Sequence, residues 1–234
     1  MATDRWSIVR KAIEAAVDGA DGSAIESVCG AAVALLSLKG AGVCLMVDGE
    51  LRGSVGGPDR GIALLNELQL TLGEGPSLDA WRLGGAVLEP DLAAPALARW
   101  PVFSVAGVRS GVRAVFALPL HLGAIAIGVL VLYRERPGAL SADELAYGLV
   151  LAEVAAQLIL ALQAVAEPDT LHALLSEQPA HWAEIHQATG IVSLQLTVAL
   201  DEAFVRLRAH AFASGRPLRE IARDVVDRRL HLDG

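Results

Sequence analysis

Cysteine is scarce in this chain of 234 residues, with Cys29 and Cys44 the whole complement. Two thiols build neither a disulfide scaffold nor a four-thiolate zinc site. Aromatic residues make up only 4%, so the core has to be assembled from Ala, Val, Leu and Ile. The opening Met-Ala-Thr-Asp-Arg-Trp-Ser lacks the basic stretch and apolar run of a secretory signal, and a cytoplasmic location is expected. No nucleophile, base and orienting group stand together as a catalytic set, no metal site is expected, and neither is an enzymatic activity.

What is abundant is aliphatic: 53% of the residues are hydrophobic and only 20% charged, with a mean hydropathy of +0.47. That composition excludes disorder for most of the chain. The stretch Leu145 to Val165 approaches the length of a membrane span. Glu153, Gln157 and Gln163 interrupt it, and Ser141-Ala-Asp-Glu144 in front of it reads as a capping box. A solvated cap followed by a mid-helix Glu fits a buried helix of a soluble protein, and no membrane partner is expected. Because the helix is apolar nearly all round, one face should meet a sheet and another a partner helix.

Net charge divides the chain. The formal charge of −8 falls entirely in residues 1–180, whereas residues 181–234 are neutral, with Arg but no Lys and four of the six His residues. Pro168 and Pro179 fall where the regimes meet, and proline cannot continue a helix interior. These signals predict a domain over residues 1–166, a linker over 167–180 and a smaller domain over 181–234.

In the first part, helical spacing is read over Ser7–Val17, Ala24–Leu38 and Ile62–Leu70, with a further short helix over Pro101–Arg109. Val43–Val47 and Leu51–Val55 read as strands joined by an Asp48-Gly49 turn, and Ala86–Pro90 as an edge strand. Val112–Leu120 and Ala124–Arg134 are the clearest strands. The unbroken apolar run from Ile125 implies a central strand covered on both faces. The fold class is α+β: an antiparallel sheet with helices on one side and loops on the other, followed by a small three-helix domain.

Leu68-Gln-Leu-Thr-Leu-Gly-Glu-Gly-Pro-Ser77, Val87-Leu-Glu-Pro-Asp-Leu92, Arg99-Trp-Pro101, Gly111–Pro119 and Gly128–Tyr133 together resemble an actinobacterial-type GAF sensor domain over residues 20–165. The resemblance implies a platform for dimerisation or for a small-molecule ligand. Ser77 stands where many relatives carry Cys, so a thiol sensor is not expected at that position. Gly73-Glu-Gly-Pro lacks the Gly-Lys-Ser/Thr ending of a phosphate loop and reads as a tight turn needing positive φ. His121 is expected to be a solvated turn residue, and Cys44 and Cys29 small core residues. Asp79 and Trp81 are weak candidates for lining a ligand pocket.

The remaining residues read as three helices: Trp182–Leu196 with two apolar stripes, Leu200–Ala213 closed by Gly215, and one opened by Pro217 with an amphipathic stripe from Leu218 to Leu230. Ile185-His-Gln-Ala-Thr-Gly190, Asp201-Glu-Ala203, Leu207-Arg-Ala-His-Ala211 and Leu218-Arg-Glu-Ile-Ala222 resemble the ANTAR domain. That resemblance implies a homodimer that binds tandem stem-loop RNA in a message leader and lets transcription pass a terminator. It assigns close approach to the small residues Ala188 and Gly190, and an RNA contact to Arg208. Arg206, His210, Arg216, Arg219 and Arg223 are further cations able to meet phosphates or stack on splayed bases. Thr189 occupies a frequent Lys position of the family, Ser193 a frequent Met, and Ala199 a frequent Ser cap. Thr189 is thus expected on an RNA face short of one cation. Two other readings compete: a DNA-binding regulator using the last two helices, and an interaction module that has lost RNA binding.

Overall fold

The computed structural model describes residues 23–47, 50–55, 59–94, 99–123, 125–165 and 179–232. The expected helix over Ser7–Val17, the Asp48-Gly49 turn and Pro168 lie outside the described residues.

A five-stranded antiparallel sheet runs in the order β2-β1-β5-β4-β3, with β1 Gly40–Val47, β2 Glu50–Val55, β3 Val87–Glu89, β4 Ala114–Leu122 and β5 Ile125–Arg134. The apolar run of β5 is central, and Val129 to Leu132 alternate between the two faces with none of the four exposed. β3 is the short edge strand, and Pro90 follows it where no ladder amide is needed.

One face of the sheet is covered by α1 (Ser23–Leu35) and by a long helix, α5 (Ala142–Val165). Ile25, Val28, Leu36, Phe116, Leu118, Leu130, Leu151 and Ile159 form the core between them. The capping box is present: the Ser141 amide donates to Glu144 Oε2 at 2.7 Å, and the Glu144 amide donates to Ser141 Oγ at 3.2 Å. Arg134 Nη2 donates to the same carboxylate at 2.6 Å and to the Leu36 carbonyl at 2.6 Å, fastening the helix start to the end of β5. α5 is long and apolar enough to cross a membrane by length and composition. It meets the sheet through β4 and a partner helix through α1, the two coverings that its apolar circumference required.

The opposite face differs from expectation. Instead of loops it carries three short helices, α2 (Arg60–Leu72), α3 (Pro76–Leu83) and α4 (Pro101–Arg109). Ile62, Leu65, Leu78, Ala80, Trp100 and Phe103 pack beneath them on Cys44, Val129 and Val131. β4 and β5 are apolar on both faces, so a bare lower face would leave them wet. Glycines with positive φ separate the helices: Gly73 closes α2 at φ 68°, and Pro76 then starts α3.

The C-terminal unit is three helices, α6 (Pro179–Leu196), α7 (Leu200–Ser214) and α8 (Leu218–Val226). Ile185, Ala188, Val192, Ala203, Leu207, Ala211, Ile221 and Val225 form its core. α6 begins at Pro179, three residues before the expected start. Gly215 ends α7 in the left-handed region at φ 63°. Ala199 opens α7 without a side-chain cap.

Candidate nucleic-acid interface and domain junction

α7 carries Arg206, Arg208 and His210, and their spacing sends them to different places. Arg206 is exposed and ion-paired with Glu202 at 3.2 Å, one helical turn away. His210, four residues on, shares that side of the helix and is half-buried. Arg208 points elsewhere. Its Nε donates to the Thr71 carbonyl at 3.3 Å, and its guanidinium carbon lies 5.7 Å from the centroid of the Phe204 ring.

Thr71 belongs to the last turn of α2, whose terminal carbonyls have no partners within the helix. A cation at that end is favoured by the helix dipole, by about 0.3–1 kcal/mol. Gly73 is needed here twice over. Its backbone is left-handed, and a Cβ on it would overlap the Arg208 guanidinium. Leu70, on the same turn, is only 7% exposed and is packed into the C-terminal core with Ile185, Leu207 and Leu218 rather than into the sheet domain. Arg208 is therefore not on an open face, a correction to its expected placement.

α8 and its approach present Arg216, Arg219, Arg223 and Arg229. Arg219 is exposed. Arg216 pairs with Asp224 at 2.7 Å and Glu220 at 3.4 Å, Arg223 with Glu184 at 3.4 Å, and Arg229 with Asp224 at 2.9 Å. Hydrogen bonds from Arg216, then from Arg229, hold the Asp224 carboxyl below its usual range.

On α6 the resemblance places three residues differently from the structure. Thr189 is buried, 8% exposed, and its hydroxyl donates to the Ile185 carbonyl at 2.7 Å. The inward arc of Ile185, Ala188 and Val192 includes position 189, so Thr189 is a core residue and not part of an exposed RNA face. Ala188 is fully buried and lets the three helices close up. Gly190 differs again: a Cβ there would meet nothing within 4 Å, so no described part of the chain requires its small size. Leu194, on the second apolar stripe, is 84% exposed.

In the sheet domain, Asp79 accepts from Arg99 Nε at 2.6 Å and from Trp100 Nε1 at 2.9 Å. It fastens α3 to the start of α4. Trp81 packs against the core beneath these helices. The expected placement of His121 is corrected. It sits within β4, opposite Ala126, and its Nε2 is buried with no hydrogen-bond partner among the described residues.

The core under α2 and α3 holds a polar chain. Cys44 Sγ donates to Asn66 Oδ1 at 2.9 Å, and Asn66 Nδ2 donates to Ser54 Oγ at 2.8 Å. Gln69 Nε2 donates to Ser77 Oγ at 2.9 Å, while its Oε1 accepts from the Ser77 amide at 2.7 Å. Burial is the main cause pushing the Cys44 thiol up to about 12. Such a thiol remains protonated and is no nucleophile.

The sequence flagged Arg208 but not its acceptors. Thr71 and Leu70 carried no signal beyond an amphipathic helix. Gly73 was legible as a turn glycine, though not as a seat for an arginine from the other domain.

Comparison with known proteins follows the same division. A GAF domain model matches residues 8–160, and an ANTAR domain model matches residues 173–226. A search of curated proteins found no match. Among solved structures, the GAF domain of an Acinetobacter phosphoenolpyruvate-protein phosphotransferase superposes with a TM-score of 0.53 at 11% identity, covering 72% of this chain and 100% of its own. The corresponding domain from Coxiella burnetii gives 0.52 at 18% identity, covering 70% of this chain and 96% of its own. Identities this low carry the fold alone. With its sheet domain matched over most of the length and its three terminal helices matched separately, the chain belongs to the GAF-domain family and bears an ANTAR domain at its C-terminal end.

Proposed function

We propose that this chain is a cytoplasmic antitermination regulator that binds tandem stem-loop RNA through α6–α8 as a homodimer, with the GAF domain supplying sensing and dimerisation. The observation that carries the reading is the order of the two domains: a sensor-type sheet domain followed directly by an RNA-binding family module. Accessible cations support it. Arg206 and Arg219 are exposed, and the ion pairs of Arg216 and Arg223 lie at the surface, where water and salt weaken them and a phosphate can compete.

A gel-shift titration with tandem hexaloop stem-loop RNA at two salt concentrations tests the reading. Binding is expected, and log affinity should fall against log salt by about 0.7 for each phosphate contact. No shift at micromolar protein counts against it.

The pairing of so many arginines favours one competing reading, an interaction module without RNA. In that case Arg206→Ala together with Arg219→Ala leaves RNA retention unchanged. The RNA reading expects a loss of roughly tenfold or more from the double change.

A further inference from the structure

α7 carries apolar residues on two sides. Ala203, Leu207 and Ala211 fill the three-helix core, whereas Val205, Ala209 and Phe212 share another side of the helix. Val205 and Phe212 are each more than half exposed. Across from them stand Leu72, at the end of α2, and Val102, in the first turn of α4. Between these two walls remains a cleft of about 440 Å³. We propose that this cleft is a binding site for an uncharged, mainly apolar small molecule that carries an N–H or O–H donor. The site lies between the two domains, and the inference stands whether or not the chain binds RNA.

Size and lining decide the kind of occupant. Small-molecule sites measure roughly 300–1,000 Å³, are lined mainly by apolar side chains and favour domain boundaries. The cleft meets all three conditions. A stable protein interface covers roughly 800 Å² on each partner, a face far larger than this slot offers.

Glu74 supplies the polar part of the site. It lines the cleft, and its Oε1 accepts from the amides of Val102 and Phe103 at 2.8 Å each. Among the described residues, no hydrogen bond or ion pair takes up its other oxygen. A ligand N–H or O–H can donate there, and bonds to a charged acceptor are the stronger kind. Arg208 lines the same cleft. A ligand of either sign therefore meets a like charge, which a neutral one avoids.

A molecule seated there touches α2, α4 and α7 at once, and so holds the two domains in this arrangement. Glu74 carries the contact inward, because the Phe103 that it caps is packed in the sheet-domain core. Just beyond the same turn, Gln69 grips Ser77 inside that core. Binding couples the ANTAR helices to the sheet domain, and the stabilisation grows with occupancy.

The test titrates the full chain with N-phenyl-1-naphthylamine, a neutral apolar dye bearing a single N–H. Its fluorescence should rise and saturate at one molecule per chain. Phe212→Asp, a change at an exposed position, should weaken binding about tenfold or more. Glu74→Gln keeps an acceptor for the α4 amides but presents an NH2 group to the dye, and should weaken binding by a similar factor. Leu194→Asp removes another exposed apolar side chain, one outside the cleft lining, and should leave affinity unchanged. Absence of saturable binding overturns the site. So does an unchanged affinity in Phe212→Asp, or an equal loss in Leu194→Asp, since either means adsorption to surface apolar groups. A dimer that Phe212→Asp converts to monomer in native mass spectrometry assigns the cleft to a second copy and overturns the site as well. Unchanged affinity in Glu74→Gln overturns the donor. If Phe212→Asp fails to fold, hydrogen exchange on the unaltered chain decides. The dye should slow exchange over residues 70–75 and 200–214 and leave 142–165 unaffected, and no slowing there overturns the site.

Discussion

At the scale of single residues, burial and partners decide chemistry more than residue type does. Cys44 is a thiol in a sensor-type domain, yet it lies fully inside the core and donates to Asn66, with its pKa pushed up to about 12. Alkylation of the native protein at mildly basic pH should leave both Cys44 and Cys29 unlabelled, with modification appearing only on denaturation, as read by mass spectrometry. Glu144 is the opposite case. Burial alone would raise its pKa, but the Ser141 amide and the Arg134 guanidinium outweigh burial and hold the carboxyl below its usual range. A carboxyl lowered in the folded state stabilises above its unfolded pKa, and the stabilisation is lost as pH falls through the folded value. Glu144→Gln should therefore cost about 1 kcal/mol at neutral pH. The gap between the two proteins should close on acidification below the ordinary carboxylate range, which denaturant titrations at several pH values would follow.

Elements were legible where period and punctuation agreed. α4 was read with the bounds observed, because Pro101 starts it and Arg109 precedes a Ser-Gly stop. α5 announced itself by its capping box. α3 was missed, since Gly73-Glu-Gly-Pro dominated the local signal as a turn, and the eight residues of α3 are too few to display a period. Thr189 was misplaced for a related reason. A polar residue was assigned outward by resemblance, while its register with Ile185 and Val192 put it inside. The uncapped start of α7 was read correctly, and it offers a stabilisation. Ala199 has φ −65° and ψ 159°, the extended geometry a capping serine adopts. Ala199→Ser should stabilise the protein by roughly 0.5–1 kcal/mol and raise Tm by a few degrees, measured by calorimetry.

For the whole molecule, α5 and α6 each leave a large apolar side chain uncovered among the described residues. α5 buries one side on β4 and α1, but turns Leu149 outward, nearly half exposed. α6 exposes Leu194 more fully. A second copy meeting the α5 face would cover the first of these. Leu149→Glu should then convert a dimer to a monomer in native mass spectrometry, with secondary structure unchanged by circular dichroism. A dimer that survives this change must be held through another surface, of which Leu194 is the nearest candidate.

The sequence by itself determined the two domains, their order, the central place of β5, the capped long helix and the three terminal helices. Each of these rests on local or periodic signals: an unbroken apolar run, helical spacing, capping residues, a change of charge regime, and proline and glycine stops. Tertiary structure alone decided that helices cover the second face of the sheet, that Thr189 turns inward and that Arg208 sits on α2. Those outcomes depend on surfaces far apart in the chain, since Thr71 and Arg208 are 137 residues apart. No pattern within either helix records which carbonyl the other will meet.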